Sequence, residues 1–171
     1  DPVLIDYIND PSTDMHRDEA QGLFLLNDKQ WTKDLRFNAK NGWVFPQFYG
    51  SYYVSCANNL WHTIEGLETA EGQDIKEHLA EKGLWSYERF EKHCKLVEKK
   101  FWTKFRVFKQ WQKRMLKTYQ EKGYVEMFFG FRRYGYLPRN KIFNTSIQGT
   151  AFHALMWSMN RIQERLEAER W

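Results

Sequence analysis

The sequence from residue 36 to residue 50 reads Arg36-Phe-Asn-Ala-Lys40-Asn-Gly-Trp-Val-Phe45-Pro-Gln-Phe-Tyr49-Gly50. Arg36 and Lys40 are four residues apart, so a helix would place both cations on one face. Adjacent like charges weaken a helix, and a polyphosphate ligand is one reason to keep such a pair. Without a ligand, the two side chains would simply be solvated. The pair therefore indicates a helix that carries either a solvated basic face or an anion site.

Gly42 and Pro46 predict an irregular turn inside this helix. Pro46 has no N–H to donate, and its ring would clash with the carbonyl group of Gly42, at a cost of about 3 kcal/mol in a regular helix. Gly42 lacks a Cβ atom and tolerates an altered backbone. We expect a helix over about residues 30–49, capped by Asn27 or Asp28, with a wide or kinked turn over residues 41–46.

The same segment resembles the O helix of family A DNA polymerases, the bacterial DNA polymerase I class. That motif is an arginine, three residues, a lysine, then Phe or Tyr, three residues, and Tyr-Gly. Arg36, Lys40, Phe45, Tyr49 and Gly50 match it in order. The resemblance implies that the first four contact the incoming nucleotide, with Phe45 as the residue that senses the sugar, and that Gly50 contacts DNA.

One extra residue separates Lys40 from the aromatic half of the motif. Counting back from Tyr49 places Phe45 at the sugar-sensing position, whereas counting forward from Lys40 places Val44 there and Phe48 at the tyrosine position. The first register is preferred because it keeps the internal spacing of the aromatic half. A single insertion rotates a regular helix by about 100°. A π-bulge would absorb it and leave both halves of the motif on one face.

Residues 14–24 combine an acidic start with a periodic apolar face, which predicts a second helix. Asp14-Met-His16 resembles the Asp-X-His motif of the same family, whose histidine reaches the nucleotide phosphates. The resemblance therefore adds His16 to the nucleotide contacts, although an isolated histidine there would be read as a surface residue. Asp6, Asp10, Asp14 and Asp18 are expected to be surface or capping acids.

Residues 89–122 carry twelve Lys and Arg against three Glu, although the whole chain has a net charge of only +4. Aromatic residues alternate with these charges: Phe101, Trp102, Phe105, Phe108 and Trp111. Such a strip is typical of a surface that binds a phosphate backbone, and a solvated helix face is the simpler alternative. With 18% aromatic residues in the chain, most aromatic rings must belong to the core.

Alternating residues around Phe129-Gly130-Phe131 predict one β-hairpin near residues 124–136. Beyond it, Asn144-Thr-Ser-Ile-Gln148-Gly-Thr-Ala151 opens a long amphipathic helix. Amide side chains four residues apart on one face can bond the minor-groove acceptors shared by all base pairs. The wording resembles the family motif Asn-X-X-Ile-Gln-Gly-X-Ala, which implies that Asn144 and Gln148 contact the primer terminus. The family arginine four residues before that asparagine is replaced by Asn140, so Arg139 is the nearest substitute.

The long helix is expected to turn its periodic apolar side chains inward. They are Phe152, Leu155, Met156, Met159, Ile162 and Leu166.

Composition describes a globular, mainly α protein of 171 residues with several helices and one small β-hairpin. No apolar run is long enough for a membrane span or a signal peptide. Cys56 and Cys94 form no disulfide framework, which favours a reducing, cytoplasmic setting. His93 beside Cys94 stays open as a metal-ligand pair. A first residue other than methionine and a last residue within a helix suggest an excised piece.

The resemblance extends in order from His16 to Gln148. It implies a fingers subdomain over residues 1–122, a palm-proximal hairpin and helix over residues 123–171, and a parent polymerase of phage or viral type. The implied partners are deoxynucleoside triphosphates, a DNA primer-template, and the remaining palm and thumb of the polymerase. Mg²⁺ would be held by carboxylates outside this chain. The piece alone is therefore expected to be inactive. The alternative is a non-enzymatic helical nucleic-acid-binding module.

Overall fold

A computed structural model describes residues 1–169, which form helices and one short two-stranded sheet. By their internal contacts the residues form two compact units, which we name unit 1 (residues 1–110) and unit 2 (from residue 111). The prediction of a mainly α fold with one small hairpin is confirmed. Across the described residues, no helix combines the length and the apolar character needed to cross a membrane.

The helices of unit 1 are α1 Pro2–Asn9, α2 Met15–Phe24, α3 Lys33–Ala39, π1 Lys40–Val44, α4 Phe45–Phe48, α5 Tyr53–Thr63, α6 Ile75–Glu81 and α7 Tyr87–Lys104. Helix α8, Arg106–Lys122, begins in unit 1 and continues into unit 2. The elements of unit 2 that follow are β1 Tyr124–Glu126, β2 Arg132–Tyr134, α9 Arg139–Asn144, π2 Thr145–Gly149 and α10 Thr150–Ala168. The proposed subdomain boundary after residue 122 concerns function and stays a prediction.

Side-chain caps fix where the helices of unit 1 begin. Asp14 accepts hydrogen bonds from the first turn of α2, and Thr32 Oγ1 accepts one from Leu35 N at 3.3 Å in α3. The prediction that Asn27 or Asp28 caps this helix is wrong. Both side chains bond locally instead, Asn27 to Lys29 N and Asp28 to the Gln21 amide, and the helix begins only after the extended Thr32.

Asp1 caps two helices with one carboxylate. Its Oδ1 accepts from Val3 N at 3.1 Å in α1, and its Oδ2 accepts from Val107 N and Phe108 N at 3.0 and 3.1 Å in the first turn of α8. Helix α7 ends just before Phe105, whose backbone leaves the helical region, and α8 starts at the next residue. Asp1 therefore fixes the joint between the two long helices.

The core of unit 1 lies between α2, α3, α5 and α7, with α5 packed along α7 and α2 along α3. Its large, fully buried side chains include Phe24, Leu35, Trp43, Leu60, Phe90, Phe101 and Phe105. Phe101 and Phe105 come from the basic strip, and Trp102 and Phe108 are half-buried against the same core. The aromatic rings of the strip that belong to unit 1 therefore mainly hold the core together.

The predicted hairpin is present in unit 2, where β1 and β2 pair antiparallel with Tyr124 opposite Tyr134. The turn contains Gly130 at a φ of 80°, and Met127 N donates to Phe131 O at 2.8 Å. Each strand has only three residues. The hairpin is thus a small platform that packs on π2, and not an independent sheet.

The prediction that α10 turns its apolar side chains inward is wrong. Phe152, Leu155, Met156, Met159, Ile162 and Leu166 are each 40–60% exposed, and no described residue of α10 is buried. The periodicity identified a correct apolar face, but no element within residues 1–169 covers it. Amphipathic spacing shows which face of a helix is apolar, but it does not show which other element packs against that face.

Candidate functional site

The helix of residues 33–48 contains the predicted wide turn. In π1 the N–H of Phe45 donates to the carbonyl group of Lys40, five residues earlier, where a regular α-helix would bond four residues earlier. A Cβ atom on Gly42 would lie 2.5 Å from Leu60 Cδ2 of α5. The prediction of a π-bulge near residues 41–46 is confirmed, and Gly42 additionally allows α5 to approach the turn closely.

The wide turn brings both halves of the motif to one face. Lys40 Nζ lies 5.2 Å from the centre of the Phe45 ring, and the Phe45 and Tyr49 ring centres are 6.4 Å apart. The His16 ring, from α2, meets Phe45 edge-on with centres 5.8 Å apart. We call His16, Arg36, Lys40, Phe45 and Tyr49 the basic-aromatic face. Lys40, Phe45 and Tyr49 therefore lie together across the wide turn, as predicted. The charges of Arg36 and Lys40 both act on the His16 ring beside Phe45, and the roles of all five side chains stay predictions.

The alternative register would need Val44 or Phe48 on this face. Val44 is fully buried, and Phe48 packs into the core with its ring centre 4.6 Å from Phe108 and 5.3 Å from Phe101. Phe45, by contrast, is 39% exposed beside Lys40. The packing therefore places Phe45 on the basic-aromatic face and leaves Val44 in the core.

Asp14 connects α2 to the arginine of the basic-aromatic face. Its Oδ1 caps α2 by accepting from His16 N at 3.0 Å, while its Oδ2 accepts from Arg36 Nε at 2.6 Å. Burial alone would raise the pKa of Asp14, but the Arg36 hydrogen bond and the helix N–H groups lower it overall. The capping role was predicted. The pairing with Arg36 was not, because no local pattern links residues 22 positions apart.

The environment of His16 disfavours the charged form of its side chain. Burial lowers its pKa, and the positive charges of Arg36 and Lys40 lower it further, against the opposing effect of Asp14. Its Nδ1 atom is buried and bonds no protein group within the described residues. An anion bound between these cations would raise the pKa of His16, so the side chain could gain a proton when the anion binds.

Gly50 ends the motif in a conformation that favours glycine. Its φ is 90°, its N–H donates to the Gln47 carbonyl group at 3.0 Å, and the residue is buried. Tyr49 N in turn donates to Phe45 O at 2.9 Å. The turn after α4 is therefore fixed by backbone bonds to the residues just before it.

In unit 2, Asn144 and Gln148 line one cleft of about 300 Å³, together with Met127, Arg133, Lys141, Thr145, Gly149, Phe152 and His153. Asn144 is the last residue of α9 and Gln148 lies within π2, so a wide turn separates them where a regular helix was possible. The two amides nevertheless converge on one cleft. The Oδ1 atom of Asn144 is buried and bonds no protein group within the described residues.

Arg139 is the first residue of α9 and is not among the residues that line this cleft. Its guanidinium carbon is 5.8 Å from the centre of the ring of Phe143, a buried residue of unit 2.

The cleft is also shaped by a close approach between Gly149 and the hairpin. A Cβ atom on Gly149 would collide with the Met127 sulfur. Glycine at this position therefore allows β1 and π2 to pack together.

No three His, Cys, Asp or Glu side chains within residues 1–169 converge in a way that would hold a metal ion. Cys56 and Cys94 are free and buried, and burial raises the pKa of Cys56 to about 12. His93 Nε2 lies 3.1 Å from the Gly22 carbonyl oxygen in α2, away from a ligand role with Cys94. That Mg²⁺ would be held by carboxylates outside this chain stays a prediction.

One lysine of the basic strip is used within the fold. Lys104 Nζ donates to Tyr7 Oη at 2.7 Å and to the buried Glu19 Oε1 at 3.3 Å. Tyr7 Oη in turn donates to Asp18 Oδ2 at 2.6 Å, so four side chains form one connected network. The strip therefore has fewer cations available to a ligand than its sequence indicates.

No protein-family model matches the chain, and none of the curated proteins matches it. The resemblance to family A polymerases therefore depends on the motif residues and their order. The structural feature related to this resemblance is the basic-aromatic face, whose residues come together across π1.

Proposed function

We propose that this chain is the fingers segment of a template-dependent DNA polymerase of the family A type and that its basic-aromatic face binds an incoming deoxynucleoside triphosphate. The observation that carries the proposal is the wide turn π1, which keeps Lys40 and Phe45 in contact despite the inserted residue. A motif that had lost its function would have no need of this distorted turn.

The cationic half of the face suits a triphosphate. Arg36 uses only its Nε atom to bond Asp14, so its terminal nitrogens keep the forked geometry that matches phosphate oxygens. Lys40 adds a compact second charge one helical turn further on. The pKa of His16 is lowered by burial and by the two cations, and a bound anion would raise it and favour uptake of a proton. Together the three side chains would neutralise a polyphosphate, and His16 would need to carry a charge only while the anion is bound.

The aromatic half of the face suits a nucleoside. The half-exposed Phe45 ring lies near Lys40, His16 and Tyr49. An apolar ring next to a phosphate-binding group is placed to contact the sugar, and Tyr49 extends the surface towards the base. Along the chain from Lys40 through Phe45 to Tyr49, the proposed contacts therefore follow the order phosphates, sugar, base.

DNA contacts are proposed for Gly50 and for the cleft of unit 2. Asn144 and Gln148 offer amide donors and acceptors that fit the minor-groove acceptors present in every base pair. Arg139 is a weaker candidate, since it lies over Phe143. In the parent enzyme two metal ions would align the attacking and leaving oxygens. The residues of this chain would bind and orient the nucleotide and the primer-template.

Titration of the chain with inorganic tripolyphosphate tests the proposal. We expect saturable binding that Lys40→Ala weakens by about tenfold or more, because charge-assisted hydrogen bonds contribute about 1.5–3 kcal/mol. Lys82→Ala, which removes an exposed lysine at the end of α6, is the matched control and should leave the affinity unchanged. Equal losses in the two variants, or no saturation in the wild type, would overturn the proposal.

A helical nucleic-acid-binding module without enzymatic activity is the second candidate. The observation that favours it is the run of exposed lysines on α7, Lys92, Lys95, Lys99 and Lys100. Under this alternative, duplex DNA should bind with a steep salt dependence that decreases when these lysines are replaced. Tripolyphosphate should then show no preference for the basic-aromatic face.

A further inference from the structure

Gln47 is a polar side chain buried completely within the motif, two residues before Tyr49. Its Nε2 group donates to Glu98 Oε1 at 2.9 Å, and its Oε1 atom accepts from the indole Nε1–H of Trp102 at 3.0 Å. Glu98 and Trp102 are four residues apart on α7, so they present their polar atoms side by side. The amide of Gln47 therefore has an acceptor at one end and a donor at the other.

This arrangement requires a side chain with both a donor and an acceptor. A leucine at position 47 would leave the Glu98 and Trp102 groups without their amide partner, and a glutamate would bring two carboxylates together in a buried place. The same Glu98 oxygen also accepts from Tyr53 N at 2.9 Å, at the first residue of α5. One carboxylate oxygen thus connects α4, α5 and α7.

The helix alone does not fix the orientation of α4. Helix α4 has only four residues, and the wide turn π1 separates it from α3. Tertiary contacts must hold it, and these come from Gln47 and from Phe48, whose ring packs against Phe101 and Phe108. The Gly50 N–H bonds the Gln47 carbonyl group, so the turn that carries Tyr49 and Gly50 follows the position of Gln47.

We propose that Gln47, Glu98 and Trp102 form a clamp that sets the orientation of the Tyr49–Gly50 turn, and that Gln47 is thereby a positioning residue for the nucleoside end of the site. This inference depends on the proposed function, because the nucleoside end is defined by it. The phosphate end, with His16, Arg36 and Lys40, lies before the clamp in the chain and is held by α2 and α3. The clamp should therefore affect the recognition of the nucleoside and leave the phosphate contacts unchanged.

Three variants of the full chain separate the clamp from general stability. Gln47→Glu places a carboxylate against Glu98 and breaks the clamp. The double exchange Gln47→Glu with Glu98→Gln restores it with reversed polarity, because the new glutamate accepts from Trp102 and from the new amide, whose oxygen can turn to Tyr53 N. Trp102→Phe is a milder variant for the case in which Gln47→Glu fails to fold, since it removes the indole donor and keeps an aromatic ring.

Amide resonances of glycine and indole resonances of tryptophan report the clamp directly by NMR. We expect the Gly50 N–H resonance to shift in Gln47→Glu and in Trp102→Phe, and to return towards its wild-type position in the double exchange. The resonances of Lys40 and of Gly22, which lies in α2, should stay in place. A Gly50 resonance that does not respond to either clamp variant would overturn the inference.

Titrations with dATP and with tripolyphosphate test the consequence for binding. The wild type should bind dATP more tightly than tripolyphosphate. In Gln47→Glu the ratio of the two affinities should fall about tenfold, with the tripolyphosphate affinity unchanged. The double exchange should restore the wild-type ratio. Absence of tripolyphosphate binding in the wild type would refute the proposed function, while the NMR comparison would still decide the clamp. A wild type that binds both ligands equally, or an advantage that survives Gln47→Glu, would refute the assignment of the nucleoside end.

Discussion

Deletion of Asn41 should be tolerated, because it removes one residue from the wide turn. The N–H of Phe45 bonds the carbonyl group of Lys40 five residues earlier, and after the deletion the same two atoms would form an ordinary α-helical bond. Asn41 is exposed, and its side chain donates from Nδ2 to Phe37 O at 3.0 Å. The two halves of the helix should keep their orientation, with Phe45 still beside Lys40.

The expected cost follows from these contacts. Loss of one exposed hydrogen bond costs about 0.5–1.5 kcal/mol in the free energy of unfolding, and a regular turn replaces a distorted one. Urea titrations monitored by circular dichroism would measure it. The tripolyphosphate affinity should stay within about twofold of the wild type, since a change below about 0.4 kcal/mol is expected when no phosphate contact is removed.

Deletion of Asn38 is the matched control, because it removes the same residue type from the same helix. Its side chain makes the equivalent bond, from Nδ2 to Asp34 O at 3.0 Å. This deletion must either rotate the fully buried Leu35 out of the core or move Lys40 into the buried position of Ala39. Either outcome should cost about 2–5 kcal/mol. Equal costs for the two deletions, or loss of tripolyphosphate binding without Asn41, would refute the idea that π1 absorbs an insertion.

Three further outcomes are expected. Asp14→Asn keeps a good helix cap but removes a negative charge beside the proposed anion site, so tripolyphosphate should bind a few-fold more tightly in titration calorimetry. Weaker binding would show that the carboxylate is needed to hold Arg36 in place. The pKa of His16 is lowered in the folded chain, so the unfolded state takes up a proton first as the pH falls. The free energy of unfolding should therefore decrease from about pH 7.5 to about pH 5.5. Urea titrations at each pH should show a smaller decrease for His16→Gln. Gly42→Ala should destabilise the chain by about 1–3 kcal/mol in the same assay, because the new methyl group would collide with Leu60. Gly22→Ala, in a helix with open space around it, should be neutral or stabilise the chain by up to about 1 kcal/mol. A stabilising Gly42→Ala would contradict the close packing of α5 on the wide turn.

Local sequence rules predicted the central helix well. The count of residues between Lys40 and Phe45 required a place for one extra residue, and Gly42 with Pro46 indicated where the backbone could widen. The structure places the wide turn there. The same rules failed at the start of the helix, because Asn27 and Asp28 have good capping side chains that the fold uses in a local turn before Thr32.

Pairs that join distant parts of the chain could not be predicted from the sequence. Asp14 with Arg36 and Gln47 with Glu98 are joined only by the packing of helices that lie apart in sequence. Periodicity likewise identified the apolar face of α10 without showing that no described element covers it. Spacing within a helix defines a face, and the partner of that face depends on the whole fold.

The double cap made by Asp1 has a consequence for how unit 1 opens. The first residue of the chain is bonded to the start of α8, more than a hundred residues later. Helix ends normally fray independently, each at a low free energy. Here the release of one carboxylate uncaps α1 and α8 at once. Hydrogen exchange should therefore show the amide protons of Val3, Val107 and Phe108 exchanging as one cooperative group, with closely similar protection.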